Sequence, residues 1–186
     1  METSIPQQRS LRVAVGHTVI VDEDVKRAVG ELFTGCERRI GRYLVQMVGD
    51  RELAADLLQD SFHDALRARA QLSSVRNPEA WLFGIARNRA LRALRRRGRF
   101  DHALGRLARR QPQSVDSSEI VAIQDLLARS LSVEDRALVL LRYLHDFSAS
   151  ELAEMTGMTA DAVRQRLSRA RARLLAASEH DEGATP

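Results

Sequence analysis

The sequence predicts an all-α fold: two small helical domains joined by a flexible basic linker, the C-terminal one a helix-turn-helix. Three observations carry this expectation. Apolar residues recur at three- and four-residue spacing through two long stretches, whereas alternation at a period of two is confined to a few valines near the N-terminus. Helix start and stop signals stand at the edges of those stretches. Between them, residues 98–119 lose the period and hold Gly98, Gly105, Pro112, Ser114, Ser117 and Ser118. A chain of 186 residues suits one or two small domains and is too short for a large enzyme core.

Residues 1–24 show no helical period. Val13, Val15, Val19 and Val21 around Gly16 fit a weak β segment or a disordered arm. A first helix is expected from about Asp24 to Val48, with Leu32, Phe33, Ile40, Tyr43, Leu44 and Met47 in the core and Gly49-Asp50 as the break. A second helix, from about Arg51 to Ala70, puts Ala54, Leu58, Phe62 and Ala65 on one face. Asp56, Gln59, Asp60, His63 and Arg67 lie on the other. The third start is marked by Asn77 as N-cap, Pro78 at the first helical position, where its missing N–H costs nothing, and Glu79 beside the positive end of the helix dipole. That helix runs through Trp81, Ile85 and Leu94 to a stop at Arg95-Arg96-Arg97-Gly98. Its apolar residues wrap much of the circumference early on, as in a helix buried on several sides, and Trp81 is expected in the core. Gly84 costs about 1 kcal/mol of helix propensity against alanine. It marks close packing against another helix or a pivot.

Past the linker, Ile120–Leu131 and Val133–Leu144 are expected as two further helices. Ser148 caps the next, with Glu151 three residues on to complete a capping box. Gly157 supplies the left-handed residue that ends it, and Thr159 caps the last helix. There Val163, Leu167, Ala170 and Leu174 share one face. Asp161, Gln165, Ser168 and Arg169 lie opposite, flanked by Arg164 and Arg166. One face anchors in a core and the other offers donors to a polyanion, as a helix-turn-helix recognition helix requires. An arginine-rich solvated helix in an ordinary bundle is the plainer alternative.

The charge is modestly positive, +4, but its type and placement are uneven. Lys26 is the sole lysine, and arginine forks onto phosphates and guanine edges better than lysine does. Codon usage in a GC-rich genome would produce the same bias, so placement is the stronger sign. From Arg87 to Arg110 there are ten arginines and one acid, Asp101. A stripe that dense calls for an anionic partner. Cys36 stands alone, which excludes an internal disulfide or a cysteine-built metal site. The five histidines are scattered, and no spacing of His, Asp and Glu builds a metal or hydrolase site, so neither cofactor, metal nor enzymatic activity is expected. No apolar run approaches the ~20 residues of a membrane span, and no signal peptide is evident. A cytoplasmic location is expected.

Two segments resemble one family. Asp56-Leu-Leu-Gln59-Asp60-Ser-Phe62, followed by Asn77-Pro-Glu-Ala-Trp81-Leu-Phe-Gly-Ile85-Ala-Arg87-Asn88, resembles the second conserved region of bacterial sigma factors. Leu138-Val-Leu-Leu-Arg142-Tyr143, the helix-turn-helix and the Leu167-Ser168-Arg169-Ala170-Arg171 ending resemble their fourth region. With both present in order and the large intervening region absent, the chain is similar to the extracytoplasmic-function (ECF) group. The resemblance implies a non-catalytic initiation subunit with three functional surfaces. Asp56, Gln59, Asp60 and His63 would dock on core RNA polymerase, at a coiled-coil of its largest subunit. Arg87, Asn88, Arg92 and Arg95 would act on the −10 promoter element, where a base leaves the stack at a cost of a few kcal/mol and is held in a pocket. Asp161, Arg164, Gln165, Ser168 and Arg169 would form the −35 contact surface in the major groove. An anti-sigma factor is a further expected partner.

The expected divisions are an N-terminal arm at 1–24, a region-two domain at 25–98, a linker at 99–119, a region-four domain at 120–177 and a tail at 178–186. The chief alternative is a stand-alone helix-turn-helix transcriptional regulator, which leaves the N-terminal half without a role. An RNA-binding or structural protein using the arginine stripe is the third reading.

Overall fold

The computed structural model describes residues 18–103 and 118–182. Its helices are α1 (Thr18–Val48), α2 (Arg51–Arg67), α3 (Pro78–Ala103), α4 (Ser118–Ser130), α5 (Val133–Tyr143), α6 (Ala149–Thr156) and α7 (Ala160–Glu182), with a 3-10 helix at Arg69–Ser74. No strand occurs among the described residues. Val13, Val15, most of the expected linker and the end of the tail lie outside them.

Helix α1 starts at Thr18, ahead of the expected start near Asp24, so Val19 and Val21 belong to a helix and not to a β segment or an arm. Gly49, at φ 68°, ends α1, and Asp50 then caps α2 by accepting from the Leu53 N–H at 3.1 Å. Helix α2 stops at Arg67, short of Ala70, and tightens into the 3-10 turn. Its buried face is Ala54, Leu57, Ser61 and Ala65. Leu58 and Phe62, expected on that face, are half-buried at its edge. Ser61 qualifies for the interior because its hydroxyl donates to the Leu57 carbonyl at 2.6 Å and leaves no donor unpaired.

Asn77 caps α3, its side-chain oxygen accepting from the Ala80 N–H at 3.0 Å. The helix does not stop at Gly98 but continues to Ala103. Glycine weakens a helix without breaking it, and the arginines around it are good helix formers. The N-terminal core joins Val29, Phe33, Ile40, Tyr43, Leu44 and Met47 of α1 to Leu82, Phe83, Ala86 and Ala90 of α3.

In the C-terminal lobe every cap expected from sequence is present. Ser148 and Glu151 form the reciprocal box, Gly157 is left-handed at φ 71°, and the Thr159 hydroxyl accepts from the Ala162 N–H at 3.2 Å. Ser132 caps α5 through the Asp135 N–H. Val163, Leu167 and Ala170 of α7 are buried with Leu138, Leu140, Leu141 and Leu152.

The two lobes meet along one seam. The turn after α5 carries Asp146 at φ 59°, a left-handed position that aspartate tolerates. It presents His145 and Phe147 to the N-terminal lobe. Phe147 meets Phe83 edge-on at 4.9 Å, and the His145 ring lies 5.0 Å from Phe83 and 5.7 Å from Tyr43. A Cβ at Gly84 would stand 3.7 Å from Met155 Cγ of α6, an ordinary van der Waals contact, so α3 and α6 touch here without the packing demanding glycine.

Candidate nucleic-acid interface

Asp56, Gln59, Asp60 and His63 are all exposed on α2. Asp60 accepts from Arg89 Nη1 of α3 at 2.9 Å, so this carboxylate is already partly engaged. Behind it Asp64, which the sequence reading passed over, accepts a fork from Arg89: Nε at 2.5 Å and Nη2 at 2.6 Å. The Arg89 hydrogen bonds hold the Asp64 carboxyl below the ordinary carboxylate range. The acidic face is therefore braced against α3 from one side and open to solvent on the other.

Along α3, Asn88, Arg92 and Arg95 are exposed, but Arg87 is only 8% exposed. This corrects the expectation that Arg87 is available to a phosphate. Position 87 lies one turn past Phe83, on the side of α3 that meets the C-terminal lobe, and its Nη1 donates to Asn88 Oδ1 at 3.2 Å. Trp81 departs from expectation in the other direction. It is only partly buried, with Nε1 3.5 Å from Gln71 Oε1, and it lines a cleft of about 230 Å3 together with Asn77, Gly84 and Asn88. Glu151, Glu154 and Met155 of α6 close the far wall. Neither Gln71 nor this acidic wall was evident from sequence. Gln71 lies in the 3-10 turn just past the expected end of the second helix at Ala70, and Glu151 was read only as a capping-box residue.

On α7, Asp161, Arg164, Gln165, Ser168 and Arg169 are all exposed, as expected from their position opposite the anchor. Asp161 and Arg164 pair with each other at 2.5 Å. Two arginines of this helix turn inward instead. Arg166 Nε donates to Asp135 Oδ1 at 2.5 Å and Arg173 Nη1 to Asp135 Oδ2 at 3.1 Å, tying α7 to α5. Arg173 is thus a bracing residue, and exposed Arg171 stands near it on the same helix. Among the described residues no group of three or more His, Cys, Asp or Glu side chains is placed to hold a metal. No helix of the described residues is long and apolar enough to cross a membrane.

A helix-turn-helix with an open polar face, behind a helical lobe with an exposed acidic face, defines a two-lobed DNA-binding transcription protein. Comparison with known proteins takes this further. Residues 32–100 match Sigma-70 region 2 and residues 121–174 match Sigma-70 region 4. The RNA polymerase sigma factor CarQ of Myxococcus xanthus is 30% identical over 76% of this chain and 84% of its own length. The ECF RNA polymerase sigma factor SigM of Mycobacterium tuberculosis is 31% identical over 79% of this chain and 75% of its own. RfaY of Xanthomonas campestris is 29% identical over 79% of this chain, which spans 39% of that relative's length. Among solved structures, CnrH in complex with the cytosolic domain of CnrY superposes with a TM-score of 0.65 at 24% identity, covering 87% of this chain and 97% of that one. The sigma factor RpoE of Bartonella quintana, solved with the anti-sigma factor NepR, gives 0.63 at 24% identity over 81% and 96%. The chain belongs to the ECF group of RNA polymerase sigma factors, the proteins that direct the polymerase to promoters. The region 2 match gives the N-terminal half the role that a stand-alone regulator would leave empty.

Proposed function

We propose that this chain binds core RNA polymerase through the exposed α2 face, reads the −10 element with α3 and the −35 element with α7, and helps melt the DNA between binding and initiation. Asp56, Gln59, Asp60 and His63 meet the polymerase, where carboxylates can pair with arginines across the interface. Asn88 bonds a base edge, Arg92 and Arg95 hold phosphates, and Arg87 joins them only when the lobes part. Gln165 and Arg164 or Arg169 read bases, with Asp161 and Ser168 beside them. The N-terminal lobe, 25–98 by sequence, includes α1 from Thr18. Residues 99–119 link it to the −35 lobe at 120–177. The protein works in the cytoplasm, carries out no covalent chemistry, and is held in reserve by an anti-sigma factor, as RpoE of Bartonella quintana is seen with the anti-sigma factor NepR.

The observation that carries this reading is the α7 helix: its apolar side is sealed in the lobe while every expected base-reading side chain faces solvent. The test is transcription by purified core enzyme plus this protein on a fragmented genomic library, with transcripts sequenced. Starts should cluster a fixed distance downstream of two shared short elements. Starts without shared elements, or no complex with core enzyme, would overturn the reading.

A further inference from the structure

Three carboxylates of the C-terminal lobe sit on donors of the N-terminal lobe. Glu151 accepts from Asn77 Nδ2, and Glu154 pairs with Arg76, both at the lip of the Trp81/Asn88 cleft. Glu134 of α5 accepts from Arg95 Nη2 at 2.7 Å and Nε at 3.2 Å. A carboxylate offers arginine and amide donors the same paired oxygen acceptors as a phosphate. Beneath these contacts Met155 packs on Gly84, and Arg87 is buried under the same seam. Exposure does not separate the two DNA faces, since Asn88, Arg92 and Arg95 are exposed just as Asp161, Arg164, Gln165, Ser168 and Arg169 are; pairing does, because the ion pair on the α7 face, Asp161–Arg164, lies within one helix and not across the lobes.

We propose that the C-terminal lobe is a built-in, one-sided cap: in the unbound protein α5 and α6 lay acidic side chains where strand phosphates would lie on the −10 face, while the −35 helix stays open to duplex DNA. The proposal rests on the assignment of α3 to the −10 element given above. The cap is built to yield. Arg76 is 85% exposed and Arg95 55%, so their ion pairs are weak and screened by salt. The apolar part of the seam is a few side chains around Phe83, Phe147 and Met155. Binding that separates the lobes, as docking on polymerase would, frees Arg76, Asn77 and Arg95 from their carboxylates and uncovers Arg87. The free protein would then find −35 duplex but refuse single-stranded −10 DNA, which limits futile capture of melted DNA away from polymerase.

The geometry supplies its own lock. A Cβ at position 84 would lie 3.9 Å from Met155 Cβ, within the about 3.5–4.5 Å that a disulfide spans. The full chain carrying Cys36→Ser, Gly84→Cys and Met155→Cys is compared, oxidised and reduced, with wild type and with Met155→Glu. The glutamate wedges the seam while adding negative charge, so it opposes any nonspecific gain in DNA binding. The probes are the non-template −10 strand and the −35 duplex of a promoter recovered by the library transcription. Met155→Glu should bind the strand about tenfold more tightly than wild type, as when the competent form rises from a tenth to most of the population. The oxidised lock should lose strand binding and regain it on reduction, and duplex affinity should be the same throughout. Equal strand affinity in all forms, or two cysteines that fail to join under oxidant, overturns the cap and leaves the −10 assignment standing. If no form binds the strand, Met155→Glu included, the −10 assignment itself fails and the cap with it.

Discussion

Asp135→Asn tests whether the recognition helix is held in place by charge as well as by packing. Asp135 is 6% exposed and takes hydrogen bonds from Arg166 and Arg173 of α7. Removing one member of a buried ion pair costs about 3–5 kcal/mol, because the remaining charge is stranded. Here the arginines are 32% and 56% exposed and can turn to water, which cuts the penalty. A loss of about 2 kcal/mol is expected. Urea unfolding followed by circular dichroism should show a lower midpoint at unchanged slope, since the surface exposed on unfolding is the same. Affinity for −35 duplex should fall too, because α7 would sit less firmly on α5. The double variant Asp135→Asn/Arg166→Ala should cost less than the sum of the singles. The pH dependence has a definite sign. Burial alone would raise the Asp135 pKa, but hydrogen bonds from Arg166 and Ser132 and the arginine charges outweigh it and hold the group below its ordinary value of 3.8. The stabilisation is therefore present above that ordinary value and is lost as pH falls through the lower folded value. A change within about 0.5 kcal/mol in Asp135→Asn, with unaltered duplex binding, would refute the reasoning.

Four further outcomes are expected. Asp56→Arg with Asp60→Arg should abolish binding to core polymerase with the helical signal intact, since Asp64 still holds Arg89; a core titration with unchanged affinity would remove this face from the interface. Asn88→Ala should weaken promoter melting by about 1–3 kcal/mol of lost base contact, which permanganate footprinting reads directly. Gln165→Ala should relax preference at one or two −35 positions, whereas Arg171→Ala should weaken all promoters alike and lower the salt slope by about one unit, both measurable by library selection at two salt concentrations. Burial, with the Arg39 and Arg42 charges, pulls the His145 pKa down to about 4 against an ordinary 6.5. The unfolded chain thus binds the extra proton first, and stability should decline as pH falls from 6.5 toward 4. His145→Phe should flatten that decline in acid unfolding curves.

The elements most legible in the sequence were those fixed by local hydrogen bonds. Ser148, Glu151, Gly157, Thr159 and Asn77 act within four residues of themselves, and each does what its type and spacing demand. The two faces of α7 were legible for the same reason, since helical period alone separates Val163 and Leu167 from Gln165 and Arg169. Legibility failed where tertiary packing decides. The buried face of α2 is rotated toward Leu57 and Ser61 because a serine bonded to its own helix counts as interior, which a polar/apolar reading misses. Gly98 was read as a stop, yet nothing packs there to break the helix. Arg87 in and Trp81 out follow from where the second lobe sits. The pairs that place it join residues 39 to 106 apart in the chain, and no local pattern announces them.

The central claim is that one chain makes the polymerase depend on two promoter elements read by two lobes. Single-round run-off transcription tests it most directly, using core enzyme with and without the protein on a recovered promoter. A second template carries about half a helical turn, roughly 5 bp, inserted between the −35 and −10 elements. The account predicts a single transcript that requires the protein and disappears on the stretched template, because α7 and α3 can no longer engage their elements on the same face of the DNA. Transcripts of equal strength without the protein, or from the stretched template, would contradict it.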